Sequence, residues 1–205
     1  MPDLPPPVPA IEFSLASRGM SKGLAQTTGP QALVRAELGF GKIYVGGYAK
    51  NVDSSTSDGE AGASLGLRTK AAGLDLAASA TLKLAIDPSP GSDSQALELG
   101  ASAARKLGRL TPRLSVVWSP DDLGGTRRTV FAEAGASYKL ASTLTASAAL
   151  GRRDRRGGAD YTAWNAGLAW NPVKPLTIDA RYYDTDGGGS QPFRARGVVS
   201  GKVKF

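Results

Sequence analysis

Leu74-Asp75-Leu76-Ala77-Ala78-Ser79-Ala80-Thr81-Leu82-Lys83-Leu84-Ala85-Ile86 decides how the whole chain is read. At a period of two, Leu74, Leu76, Ala78, Ala80, Leu82, Leu84 and Ile86 share one side, and none of them has a polar side-chain atom. The other side carries Asp75, Ser79, Thr81 and Lys83. Those groups are costly to turn toward hydrocarbon and comfortable in a wet interior. The end of the chain repeats the pattern, with Phe193, Ala195, Gly197, Val199, Gly201, Val203 and Phe205 alternating against Arg194, Arg196, Ser200, Lys202 and Lys204.

Outward from this stretch the same unit recurs: a run of strand length with small or apolar residues in alternation, closed by a Gly, Pro, Asp, Ser or Asn cluster. The pattern predicts strands near 10–18, 30–40, 43–52, 60–69, 74–86, 95–107, 112–119, 127–140, 143–153, 159–170, 176–184 and 192–205. Most have the roughly 9 to 11 residues needed to cross a bilayer at a tilt. Tight turns at Gly41-Lys42, Lys70 to Gly73, Gly108 to Thr111, Ala141-Ser142 and Asn171 to Pro175 alternate with longer loops at Asp53 to Gly59, Asp87 to Ser94, Pro120 to Thr126 and Thr185 to Gln191. The expected fold is therefore all-β: a transmembrane, antiparallel, up-and-down β-barrel of about twelve strands, with short periplasmic turns and longer extracellular loops. Residues 1–9 read as a Pro-rich periplasmic tail and 10–205 as a single barrel domain. The prolines fit, since they fall in the tail, in connections or at strand ends, where no ladder hydrogen bond is lost.

Pairing Thr69 with Leu74 across the Lys70 to Gly73 turn would set Arg68 opposite Asp75 and Glu60 opposite Lys83 on the polar side, with Leu67 opposite Leu76 on the apolar one. Glu12 would meet Lys202 and Lys204 where the first and last strands close the barrel. The outward phase collects Phe40, Trp118, Tyr138, Trp164, Trp170, Tyr182, Phe193 and Phe205, most of them near strand ends, as interfacial aromatic girdles require. The alternative, a soluble sandwich with these aromatics in its core, would need a larger share of bulky residues. A C-terminal strand ending Lys202-Val203-Lys204-Phe205 resembles the assembly signal of outer-membrane barrels.

Composition excludes several functions. No stretch approaches the roughly 18 apolar residues of a spanning helix. The absence of Cys removes disulfides, thiolate metal sites and cysteine nucleophiles, and the absence of His removes Ser-His chemistry and the commonest metal ligand. No cofactor or metal is expected. Gly187-Gly188-Gly189 lacks the Gly-Lys-Ser or Gly-Lys-Thr of a phosphate loop. The net charge of +7 is dispersed along strands rather than gathered into a patch with interleaved aromatics, which argues against nucleic acid. Met1 to Pro9 shows no basic segment followed by an apolar core. The strand pattern then favours a mature outer-membrane form over a cytosolic protein.

Ser17-Arg18-Gly19-Met20-Ser21-Lys22-Gly23, then Pro30-Gln31-Ala32, then Ile43-Tyr44-Val45-Gly46-Gly47-Tyr48-Ala49-Lys50-Asn51-Val52-Asp53 carry a resemblance to the TorF-like porin family. It covers roughly the first fifty residues; beyond them only the alternating barrel pattern is shared. Where that family has an aromatic residue before Arg-Gly and a Ser-Gln pair after it, this chain has Leu15-Ala16-Ser17 and Ser21-Lys22. The resemblance implies an outer-membrane barrel of a Gram-negative bacterium.

Two functions follow from the pattern. The first is a narrow passive channel with a lumen lined by Arg18, Arg35, Lys50, Arg68, Lys83, Lys106, Arg113, Lys139, Arg181, Arg194 and Arg196, with Glu37, Asp75, Glu98, Glu133 and Asp179 as counter-charges. Its cationic excess favours small polar or anionic solutes. The second is a structural or partner-binding barrel whose paired charges plug the lumen. The expected partners are outer-membrane lipid, such solutes, and a protein partner or second copy. An enzyme is not expected.

Overall fold

A computed structural model describes residues 5–54 and 56–205. Met1 to Leu4 of the predicted tail, and Ser55 in the loop predicted at Asp53 to Gly59, lie outside the described residues. The strands are β1 (Val8–Ala16), β2 (Met20–Ser21), β3 (Leu24–Ala25), β4 (Gln31–Phe40), β5 (Ile43–Ser54), β6 (Ser57–Ala71), β7 (Leu74–Ile86), β8 (Gln95–Ala104), β9 (Leu110–Asp122), β10 (Arg127–Lys139), β11 (Leu144–Arg155), β12 (Tyr161–Trp170), β13 (Leu176–Thr185) and β14 (Arg196–Lys204). All but β2 and β3 form one closed barrel of twelve strands, each antiparallel to its sequence neighbour, with β1 pairing both β4 and β14. No helix occurs among the described residues.

Alternation explains the two faces. Leu82 and Val199 are 45% and 56% exposed, and Leu76, on the same phase, is half-buried. Trp118, Tyr138, Trp164, Trp170, Tyr182 and Phe205 also stand exposed on the outer face. The barrel closes where Phe205 exchanges two backbone hydrogen bonds with Ile11, at 2.9 and 3.1 Å. Glu12 stands opposite Lys204 there, with Lys202 Nζ 3.9 Å from its Oε2, as the sequence led us to expect.

Several sequence expectations need correction. The β6–β7 turn is Ala72-Gly73, with Ala71 opposite Leu74, so the register sits two residues from the expected one. Lys70 rather than Arg68 faces Asp75, and Gly62 rather than Glu60 faces Lys83. A two-residue slip preserves the faces, because side chains alternate with a period of two, but it changes every partner. Pro9, Pro112 and Pro120 lie within β1 and β9. The last strand starts at Arg196, not residue 192, and the preceding residues form turns. Phe193 therefore packs beside the buried Leu24, Tyr161 and Ala163 instead of facing outward.

One feature of the chain had no counterpart in the predicted strands. Residues 17–30 join β1 to β4 at the long-loop end, and within them β2 and β3 pair as a small hairpin whose turn is Lys22-Gly23. Both turn residues have positive φ, 50° and 82°, the geometry that suits a tight hairpin. This hairpin folds into the barrel.

Candidate functional site: the barrel interior

On the outside of a barrel, strand side chains meet those of adjacent strands. Contacts that skip strands run through the interior, and here they gather around the hairpin tip. Lys22 Nζ reaches the Glu98 carboxylate on β8 and lies 3.2 Å from Asp122 Oδ2 at the end of β9. Lys83 Nζ, from β7, lies 2.6 Å from Asp122 Oδ1 and 3.3 Å from Glu98 Oε1. Arg153 Nη2, from β11, donates to Asp122 Oδ2 at 2.8 Å. Three cations thus surround two carboxylates, and Asp122 is only 4% exposed.

The hairpin is wedged as well as charged. Tyr161 Oη donates to the Lys22 carbonyl at 2.7 Å, and its ring meets Phe193 edge to face at 5.5 Å. A Cβ on Gly23 would stand 2.2 Å from the Ala163 Cβ, so only glycine fits where the tip touches β12. On the other side Asp53 accepts from the Thr28 amide and hydroxyl, both at 2.8 Å, while Lys50 Nζ donates to Gln26 Oε1 at 2.8 Å. The segment is therefore held from β5 across to β12. Another long-loop contact, from the Thr162 amide to Asp186 Oδ1 at 2.6 Å, keeps that carboxyl below the ordinary aspartate range.

Two cavities flank the hairpin. One of about 380 Å³ opens at the long-loop end and includes Lys22, Gln26, Asp53, Asp122 and Arg153 in its wall. The other, about 280 Å³, lies deeper among Arg35, Glu37, Tyr44, Tyr48, Lys50 and Arg68. Ser21, Glu60 and Lys83 line both and mark the neck between them. In the deeper cavity Arg68 makes a two-pronged contact with Glu37 at 2.5 and 2.7 Å and stacks over the Tyr44 ring at 3.9 Å. Glu60 accepts from Tyr48 Oη at 2.6 Å and pairs with Lys50 at 3.1 Å. Glycines across the ladder make room for the rings: a Cβ on Gly62 or Gly66 would fall 2.4 or 2.2 Å from Tyr48 or Tyr44.

Of the sixteen candidate residues, the structure brings Arg35, Glu37, Lys50, Arg68, Lys83 and Glu98 together around the deeper cavity. Arg113 pairs with Glu133 at 2.8 Å, and Arg181 with Asp179 at 3.0 Å while reaching Asn165 and Ser147 on two other strands. Asp75 is taken up by Lys70 at the tight-turn rim, and Lys139 ends β10, exposed. Arg18 donates to the Thr28 carbonyl within the hairpin segment, and Arg196 to the Pro192 carbonyl at the start of β14. Lys106 and Arg194 need correction: Lys106 lies past the end of β8, and Arg194 lies before β14 with its Nε on the Gly189 carbonyl. Neither is on a strand, because the alternation that suggested them continues into turns. Lys22, Asp122, Arg153 and Tyr161 were not among the candidates, although they form the most buried cluster. The one local signal was Lys22-Gly23 within a connection too long for a tight turn.

The architecture is that of bacterial porin barrels. It matches the KdgM porin in complex with disordered oligogalacturonate at a TM-score of 0.68 and 10% identity, over 96% of this chain and 99% of that one. The NanC porin matches at 0.65 and 8%, over 94% and 98%. The COG4313 outer membrane channel from Pseudomonas putida F1 matches at 0.58 and 12%, over 99% and 96%. At these identities the likeness is one of fold. No curated protein matches the chain in sequence. Residues 36–203 match the family model described as bacterial protein of unknown function (Gcw_chp), and the chain belongs to that family. That description does not carry the TorF-like name, and the match leaves out the Arg18-Gly19 segment on which part of that resemblance rested.

Proposed function

We propose that this protein is an outer-membrane, porin-like channel for small anionic solutes, narrowed at its long-loop end by the in-folded β2–β3 hairpin. It acts by passive selection and not as an enzyme. The observation that carries this reading is a closed barrel with an apolar outer face and a charged interior in which two cavities approach one neck at Ser21, Glu60 and Lys83. Anion preference is supported by cations without a carboxylate partner among the described residues, Arg35 and Lys139, beside the excess of one cation in the Asp122 cluster. A ring of arginine or lysine lowers the barrier for anions. Oligogalacturonate, bound by one of the similar porins, is consistent with such a preference. Mature outer-membrane placement, with lipid against the exposed leucines and valines, belongs to the same reading.

The buried Lys22 cluster also supports the rival, a barrel kept shut by its own paired charges. Planar-bilayer recording under a salt gradient separates them. The channel reading expects small conductance steps and an anion-selective reversal potential. Removing residues 18–29 should then enlarge the steps several-fold. A cation-selective reversal potential overturns the anionic preference, and a silent wild-type barrel that conducts only without the hairpin establishes the plug.

A further inference from the structure

The outer wall at the long-loop end carries a second charged feature that the interior does not use. Trp118 stands opposite Val130 on the outer face, an aromatic of the kind that marks the edge of a bilayer's apolar band. One step further toward the loops, the Arg156 amide donates to the Arg128 carbonyl at 3.0 Å, which extends the β10–β11 pairing beyond Thr129 and Arg155. Thr129 is buried inside, so Arg128 takes the outward phase, and both Arg128 and Arg156 are exposed. Like charges set directly opposite one another destabilise a sheet. No carboxylate among the described residues pairs with either. Asp154 and Asp160 pair instead with a third arginine: Arg152 Nε lies 3.1 Å from Asp154 Oδ1 and its Nη2 3.6 Å from Asp160 Oδ2.

Further from the loops, beyond the Val130–Asp154 pair, runs an outward groove of about 610 Å³. Ala101, Ala132 and Ala134 form its floor, Leu114 and Leu150 rise beside it, and Arg152 stands at its loop-side end. A groove of hydrocarbon with guanidinium groups at one end is complementary to an amphiphile with an acyl chain and a phosphate head. Guanidinium forks grip phosphate oxygens in pairs, which a like-charged arginine pair without counter-ion is set up to do.

We infer that this wall of β9–β12 binds a phosphorylated, acylated lipid of the outer leaflet, with its phosphate on Arg128 and Arg156 and one acyl chain in the alanine-floored groove. The inference rests on the outer-membrane reading given above. The test uses the full chain folded in detergent micelles and diphosphorylated lipid A as probe, with retained lipid read by native mass spectrometry against phosphatidylethanolamine. Wild type should retain lipid A in preference, and Arg128→Ala/Arg156→Ala should weaken retention on the order of tenfold. Ala132→Trp, which fills the groove while leaving the arginines in place, should weaken it as well. Equal retention by the arginine variant overturns the site, as does equal retention of both lipids by wild type. Complete displacement by inorganic phosphate assigns the arginines to free anions and overturns the lipid. Reconstitution into phosphatidylcholine vesicles separates this from the reading on which it rests. A barrel that inserts but ignores lipid A overturns this site alone, whereas one that fails to insert overturns the membrane placement with it.

Discussion

The two ends of the interior solve the same problem, charges inside a barrel, in different ways. At the long-loop end the chain folds back on itself, and Lys22, Lys83 and Arg153 share Asp122 and Glu98 in a cluster with little exposure. At the tight-turn end the Arg68–Glu37 and Arg113–Glu133 pairs are single and open, their arginine side chains 55% and 56% exposed. Buried charges must be neutralised locally because little water remains to solvate them, whereas exposed ones are largely screened. The first arrangement holds a segment in place. The second leaves charge available to a passing solute.

Breaking that contrast should produce its largest effect at Asp122. Asp122→Ala leaves Lys22 and Lys83 sharing Glu98, and Arg153 with no carboxylate, and removing one partner of a buried ionic network costs about 3–5 kcal/mol. We expect a lower unfolding midpoint in urea and faster trypsin cleavage in residues 17–30; an unchanged midpoint and intact hairpin would show that Tyr161 together with the Asp53 and Lys50 contacts holds the segment without the ionic cluster. A smaller effect is expected at Gly66, where an added methyl would press on the Tyr44 ring. Gly66→Ala should cost about 1–3 kcal/mol as the ring shifts and loses its stacking with Arg68. Adding Tyr44→Ala should restore most of that loss in the same urea titration, and a failure to do so would place the strain in the backbone.

What was legible in the sequence follows from the same physics. Alternation depends only on each residue's own solvent, so the twelve barrel strands, the exposure of Leu82 and Val199 and the inner position of Lys83 could be read from the chain alone. Partners depend on register, and the two-residue slip at Ala72-Gly73 moved Arg68 from Asp75 to Glu37 without moving it to another face. The hairpin was out of reach for a further reason. Met20-Ser21 and Leu24-Ala25 are too short to show a period, and the groups that hold Lys22 lie 76, 100 and 139 residues away in sequence. Lys106 and Arg194 show the converse, an alternation that runs on where the strand has ended.

The smallest expected change in stability tests the open end. Glu37→Gln removes the carboxylate that holds Arg68 but keeps the shape of the side chain, and exposed pairs contribute about 0–1 kcal/mol. The urea midpoint should barely move. The consequence for permeation is larger, because Arg68 would then join Arg35 in the deeper cavity without a carboxylate between them. The reversal potential under a salt gradient should shift toward stronger anion selectivity, and high salt should screen the shift. A loss of stability comparable to that of Asp122→Ala would mean that Glu37 is as structurally committed as the buried cluster, and the distinction between a holding end and a selecting end would fail.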